Sequence, residues 1–90
     1  MKAISARVTG RVQGVGFRYA TARRAGELGL TGWVRNTHDR AVEAWAQGSA
    51  DDVEALVAFL RVGPSAARVD SLVVVPGTPN PEITSFAVRY

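Results

Sequence analysis

The stretch ISARVTGRVQGVGFRYATARRAGEL (Ile4–Leu28) contains one change of period that decides the fold. Ile4, Ala6, Val8, Gly10 and Val12 alternate with Ser5, Arg7, Thr9 and Arg11. Alternation of that kind predicts a half-buried strand. From Phe17 the spacing becomes helical, with Phe17, Thr21, Ala25 and Leu28 near one face and Ala20 beside them. Between the two patterns lies a glycine-broken turn, Gln13-Gly14-Val15-Gly16. Gly29 stands where a helix C-terminal stop is expected.

Working outward, Leu30–Thr37 reads as a second strand around Trp33 and Val34. Thr37-His38-Asp39-Arg40 is polar and suits a hairpin turn. Ala41–Gln47 is the return strand, with Val42, Ala44 and Ala46 on one face. Ser49 is a candidate N-cap, with Asp52 completing a variant of the capping box. Val53, Leu56, Val57 and Leu60 carry i, i+3, i+4, i+7 spacing, and Gly63-Pro64 ends that helix. Val69–Val75 is a strand run, Pro76–Pro81 a turn-rich loop, and Thr84–Tyr90 a last strand. The order is β-α-β-β-α-β, with room for an extra strand near the end. It predicts an α+β, ferredoxin-like fold: an antiparallel sheet with two helices packed on one face. That fold carries many unrelated activities, so function must be argued from a site.

The 90 residues suffice for a single domain spanning 1–90. Hydrophobic residues are 47% and charged residues 21%, enough apolar surface to offset the entropy of ordering. There is no Cys and a single His, His38. Disulfides, thiolate metal sites, iron–sulfur clusters, a Cys nucleophile and a multi-histidine metal site are all excluded. No metal and no cofactor are therefore expected. No apolar run approaches the roughly 20 residues that span a bilayer, so no membrane partner is expected. Met1-Lys2 leads straight into the first strand, which leaves no visible signal peptide and predicts a cytoplasmic protein. The net charge of +3 favours an anionic partner. Its cations are spread along the chain, which does not by itself indicate nucleic acid.

The informative segment is Gly10-Arg11-Val12-Gln13-Gly14-Val15-Gly16-Phe17-Arg18. It runs from a strand, through a glycine-rich turn, into a helix N-terminus. The first helical turn has N–H groups without intrahelical partners, and the helix dipole makes that end positive. Glycines let the preceding backbone curl so that its N–H groups converge too. Together these can cradle an anion, and Arg18 can add a planar, permanently charged fork. A tight strand-to-helix turn would use the same glycines. The segment is not a Walker A loop, since no Lys-Ser/Thr pair follows, and its glycine spacing is not the dinucleotide fingerprint.

Gly10–Arg18 resembles the first signature of the acylphosphatase family. Gly32-Trp33-Val34-Arg35-Asn36-Thr37 resembles the second, at a fitting distance downstream. The similarity continues through Gly63-Pro64-Ser65, Ala67-Arg68-Val69 and Phe86-Ala87-Val88-Arg89-Tyr90, nearly the whole chain. The resemblance implies the ferredoxin-like fold and metal-free hydrolysis of acyl phosphates to a carboxylate and inorganic phosphate. By position, Arg18 matches the family's phosphate-binding arginine and Asn36 the asparagine that positions the attacking water. Gln13, Gly14, Val15, Gly16 and Phe17 match the backbone phosphate cradle. Gly16 stands where some relatives carry a larger residue, at a position that contributes mainly backbone.

This chemistry explains the sparse inventory. The leaving group is a carboxylate, whose acid has a pKa of about 4, so it departs without a general acid. The transition state is loose and asks mainly for charge stabilisation and an aligned water. His38 fits a polar hairpin tip better than a base. Trp33 and Trp45 fit cross-strand packing better than stacking on a ligand. Arg35 fits a solvated face better than anion steering. Asp51, Asp52 and Glu54 fit the first turn of a helix. A link from the terminal carboxylate of Tyr90 to an active-site arginine is a further possibility. A small acyl phosphate is the expected substrate, inorganic phosphate the product, and a monomer without nucleic acid the expected state. The alternative is a non-enzymatic ferredoxin-like module binding RNA or a small anion, but no RNA-recognition aromatic run is present. A non-hydrolytic acylphosphatase-like domain, as in hydrogenase-maturation proteins, would be expected to continue into more chain.

Overall fold

The computed structural model describes all residues, Met1–Tyr90. The elements are β1 (Lys2–Arg11), α1 (Phe17–Glu27), β2 (Thr31–Asn36), β3 (Val42–Gly48), α2 (Ala50–Val62), β4 (Arg68–Gly77) and β5 (Phe86–Arg89). They form one sheet in the order β4-β1-β3-β2-β5. The first four strands pair antiparallel, as expected. β5 supplies the extra strand and runs parallel to β2, so the sheet is mixed. Parallel pairing follows from the connection: the chain leaves β4 at one edge and crosses the sheet before entering beside β2.

Alternation in β1 buries Ile4, Ala6 and Val8, and Val12 just past its end, each 3% exposed or less, against the helices. Val34 of β2 and Val42, Ala44 and Ala46 of β3 extend that surface. α2 closes it with Val53, Leu56, Val57 and Leu60, the residues its period singled out. α1 contributes Phe17, Thr21 and Ala25. The Thr21 hydroxyl donates to the Phe17 carbonyl at 2.8 Å, which satisfies a polar group inside the core. α1 lies over β2 and β5, and α2 over β1, β3 and β4.

The caps follow from sequence. The Ser49 hydroxyl accepts from the Asp52 N–H at 3.2 Å. Past α1, the Gly29 N–H donates to Gly26 and the Leu30 N–H to Ala25, the paired bonds of a Schellman stop.

The other sheet face is open. Trp33 and Trp45 are direct cross-strand partners there. The guanidinium groups of Arg35 and Arg89 lie 5.4 and 4.8 Å from the Trp33 ring centroid. Arg35 also grips Glu43 through Nε and Nη2 at 3.0 and 2.7 Å. The tryptophans and Arg35 therefore cover their own sheet.

Gln47, to which the sequence assigns nothing, is 2% exposed. Its Nε2 donates to Thr31 Oγ1, Asn80 O and Ile83 O, and its Oε1 accepts from the Asn80 N–H. It pins the long β4–β5 connection to the sheet and so fixes where β5 enters.

Gly32 shows how closely the strands approach. Its φ is +147°, and a Cβ there would lie 1.9 Å from the Trp45 carbonyl oxygen. Gly32→Ala is expected to destabilise the fold by about 3 kcal/mol through strain and backbone displacement. Urea denaturation measures this, and a midpoint equal to that of the parent chain contradicts it.

Candidate active site

Gly14 and Gly16 both hold positive φ, +74° and +78°, with open space where a Cβ would stand. The constraint is therefore conformational rather than steric. Two left-handed residues turn the chain sharply from the β1 exit into α1. Gly16 is the N-cap, and it offers no side chain to the helix. No backbone N–H from Gly14 to Tyr19 finds an acceptor within the chain; the ladder begins where Ala20 donates to the Gly16 carbonyl. A run of unpaired donors at a helix N-terminus can accept an anion.

Gln13 fixes this loop from the side. Its Nε2 donates to the carbonyls of Thr37 and Ala41, both at 2.9 Å. Those carbonyls flank the β2–β3 hairpin tip, so the loop is clamped to the end of the strand that carries Asn36. Val15 packs its side chain against the core, and Phe17 is 1% exposed with its ring 6.3 Å from that of Phe59.

A depression of about 170 Å³ is lined by Val12, Gly14, Gly16, Phe17, Arg18, Tyr19 and Asn36. It brings Gly14, Gly16, Phe17, Arg18 and Asn36 of the sequence-predicted set together. The side chains of Gln13 and Val15 do not line it; they hold the loop from outside, leaving only their backbone for a ligand. His38 is exposed at the hairpin tip and does not line it either.

Arg18 is half-buried and held by the C-terminus of the chain. Its Nη1 donates to the Arg89 carbonyl at 3.2 Å, and its guanidinium sits 4.7 Å from the Tyr90 ring centroid. The Tyr90 hydroxyl pairs with that of Tyr19, which neighbours Arg18. That hydrogen bond, helped by desolvation, raises the Tyr90 phenol above its ordinary pKa. The possible link from the terminal carboxylate is not what holds Arg18; the Tyr90 ring and the Arg89 carbonyl hold it. A π face and a neutral carbonyl orient the guanidinium without neutralising it. Sequence reasoning missed this clasp because 71 residues separate its ends. The only signal is an aromatic last residue and a tyrosine next to Arg18.

The acylphosphatase family model matches residues 4–88. An acylphosphatase of Methylococcus capsulatus is 52% identical over 88 residues, 98% of this chain and 96% of the relative. The solved acylphosphatase of Bacillus subtilis superposes with a TM-score of 0.95 at 32% identity, over 100% of both chains. That of Coxiella burnetii gives 0.93 at 36% identity, over 98% of this chain and 92% of the other. With both signatures placed around one depression and the match running almost end to end, the chain belongs to the acylphosphatase family.

Proposed function

We propose that the chain hydrolyses the carboxyl-phosphate bond of small acyl phosphates, releasing a carboxylate and inorganic phosphate. The observation that carries this reading is the unpartnered N–H run of Gly14–Tyr19, most of whose residues line the same depression as Asn36. The backbone donors and Arg18 hold the phosphoryl oxygens and offset the charge that develops on them. The Asn36 carboxamide orients a water in line with the scissile bond.

The water oxygen forms a bond to phosphorus as the phosphorus–acyl oxygen bond breaks. The bonding pair leaves on the carboxylate, and the water proton passes to a phosphoryl oxygen. A dianionic acyl phosphate and water thus give a carboxylate monoanion and dihydrogen phosphate. With a leaving acid of pKa about 4, neither a general acid nor a metal is required. All 90 residues act as one domain, a cytoplasmic monomer that needs no nucleic acid. No helix is long and apolar enough to cross a membrane.

Acetyl phosphate hydrolysis with and without excess EDTA tests the reading: turnover is expected in both, and its absence from both sinks the proposal. Turnover lost only on chelation sinks the metal-free mechanism alone. Arg18→Ala is expected to lower kcat/KM by about 10²–10³-fold or more and to weaken inhibition by phosphate with it. Asn36→Ala is expected to lower kcat while phosphate still binds, because its role lies in the transition state. Full activity in Asn36→Ala refutes that role.

A further inference from the structure

The two halves of the site grow from parts of the sheet that separate before they reach it. β1 and β3 stay in register only as far as Val8 and Val42. Past that pair, β1 shifts register between Thr9 and Gly10, and Thr9, Gly10 and Arg11 pair with β4 alone. The phosphate loop and Arg18 continue from this branch. Asn36 belongs to the other branch, where it pairs with Val42 and leads into the Thr37–Ala41 turn. No ladder hydrogen bond joins the loop to that turn.

The Gln13 side chain spans the gap. Its Nε2 donates to the Thr37 and Ala41 carbonyls, both at 2.9 Å. The carboxamide nitrogen carries two hydrogens, so one group serves both acceptors. No other residue from Val12 to Gly16 is hydrogen-bonded to the hairpin. Arg7 reaches Asp39 at the hairpin tip, but it does so from within β1, between exposed side chains, and does not touch the loop.

Neither carbonyl depends on Gln13 for a partner. The Thr37 carbonyl also accepts from the Arg40 N–H at 3.3 Å, and the Ala41 carbonyl from the Thr37 N–H at 2.9 Å. The Thr37 hydroxyl accepts from the Ala41 N–H at 3.0 Å, which closes the turn a second time. The hairpin is complete on its own, and Gly14 and Gly16 turn the loop on their own. What Gln13 adds is the placement of one against the other. In-line attack is sensitive to that placement, since a misplacement of about 1 Å can cost about 10²-fold in rate.

We propose that Gln13 is a positioning residue, whose carboxamide fixes the Asn36 side chain relative to the phosphate cradle so that the bound water points at phosphorus. The inference rests on the hydrolytic reading above. The Gln13 side chain does not line the depression, so it acts on alignment and contacts neither phosphate nor water. Phosphate binding is left to the loop backbone and Arg18, which lie together on the β1–α1 branch.

A double-mutant cycle of Gln13→Met and Asn36→Ala, assayed with acetyl phosphate, tests this. Methionine keeps the length of the side chain and removes the donor. Gln13→Met is expected to lower kcat by about tenfold or more, with KM and inhibition by phosphate within about twofold of wild type. Its urea midpoint is expected to stay close to that of the parent chain, because both carbonyls keep a partner. In the Asn36→Ala background the same substitution is expected to change kcat by less than about twofold, since no carboxamide remains to be aligned. Losses that multiply across the cycle overturn the proposal. So does an unchanged kcat in Gln13→Met, phosphate inhibition that weakens in step with kcat, or loss of the fold. Absence of turnover by the wild type overturns the hydrolytic reading and this inference with it.

Discussion

The backbone N–H groups from Gly14 to Tyr19 have no acceptor inside the chain, and the surrounding structure keeps them that way. Unpaired donors cost free energy when buried without a partner, and five of the six residues in the run line one depression. Two left-handed glycines turn the loop, Gln13 clamps it to the β2–β3 hairpin, and Phe17 anchors the helix start in the core. The Gln13 clamp lies outside the depression, which Gly14, Gly16 and Phe17 line. The scaffold thus holds a polar surface rigid without placing its own acceptors there. An anion that enters meets donors already oriented, and little reorganisation is needed as charge shifts in the transition state.

Arg18 follows the same logic. A carboxylate partner would orient it but would compete with the substrate for its charge. The Tyr90 ring and the Arg89 carbonyl orient it while leaving its charge available. The arginines on the open sheet face contrast with it, since Arg7 and Arg35 are paired to Asp39 and Glu43. Arg18 makes no ion pair with any carboxylate of the chain.

Much of the fold was legible because local rules and packing agree. The period-2 run of β1, the amphipathic α2, the Ser49 cap and the stop after α1 all appear where the spacing puts them. The parallel placement of β5 was not legible. It depends on buried Gln47 reaching Asn80 and Ile83, a contact 33 to 36 residues apart with no local signature. At the site, strand-to-helix geometry points to the glycine loop and Arg18 and the family resemblance to Asn36, and the structure brings them to one depression. The clasp on Arg18 was not legible. It depends on which side chains meet after folding, and composition alone is silent on that.

The central claim is that the loop backbone and Arg18 form the anion site. Titration of ¹⁵N-labelled protein with inorganic phosphate, followed through amide chemical shifts, tests it most directly. The largest saturable shifts are predicted for the N–H groups of Gly14 to Tyr19, and they should collapse in Arg18→Ala while the rest of the spectrum stays folded. Shifts confined to other residues, or none at phosphate concentrations that inhibit hydrolysis, would contradict the account.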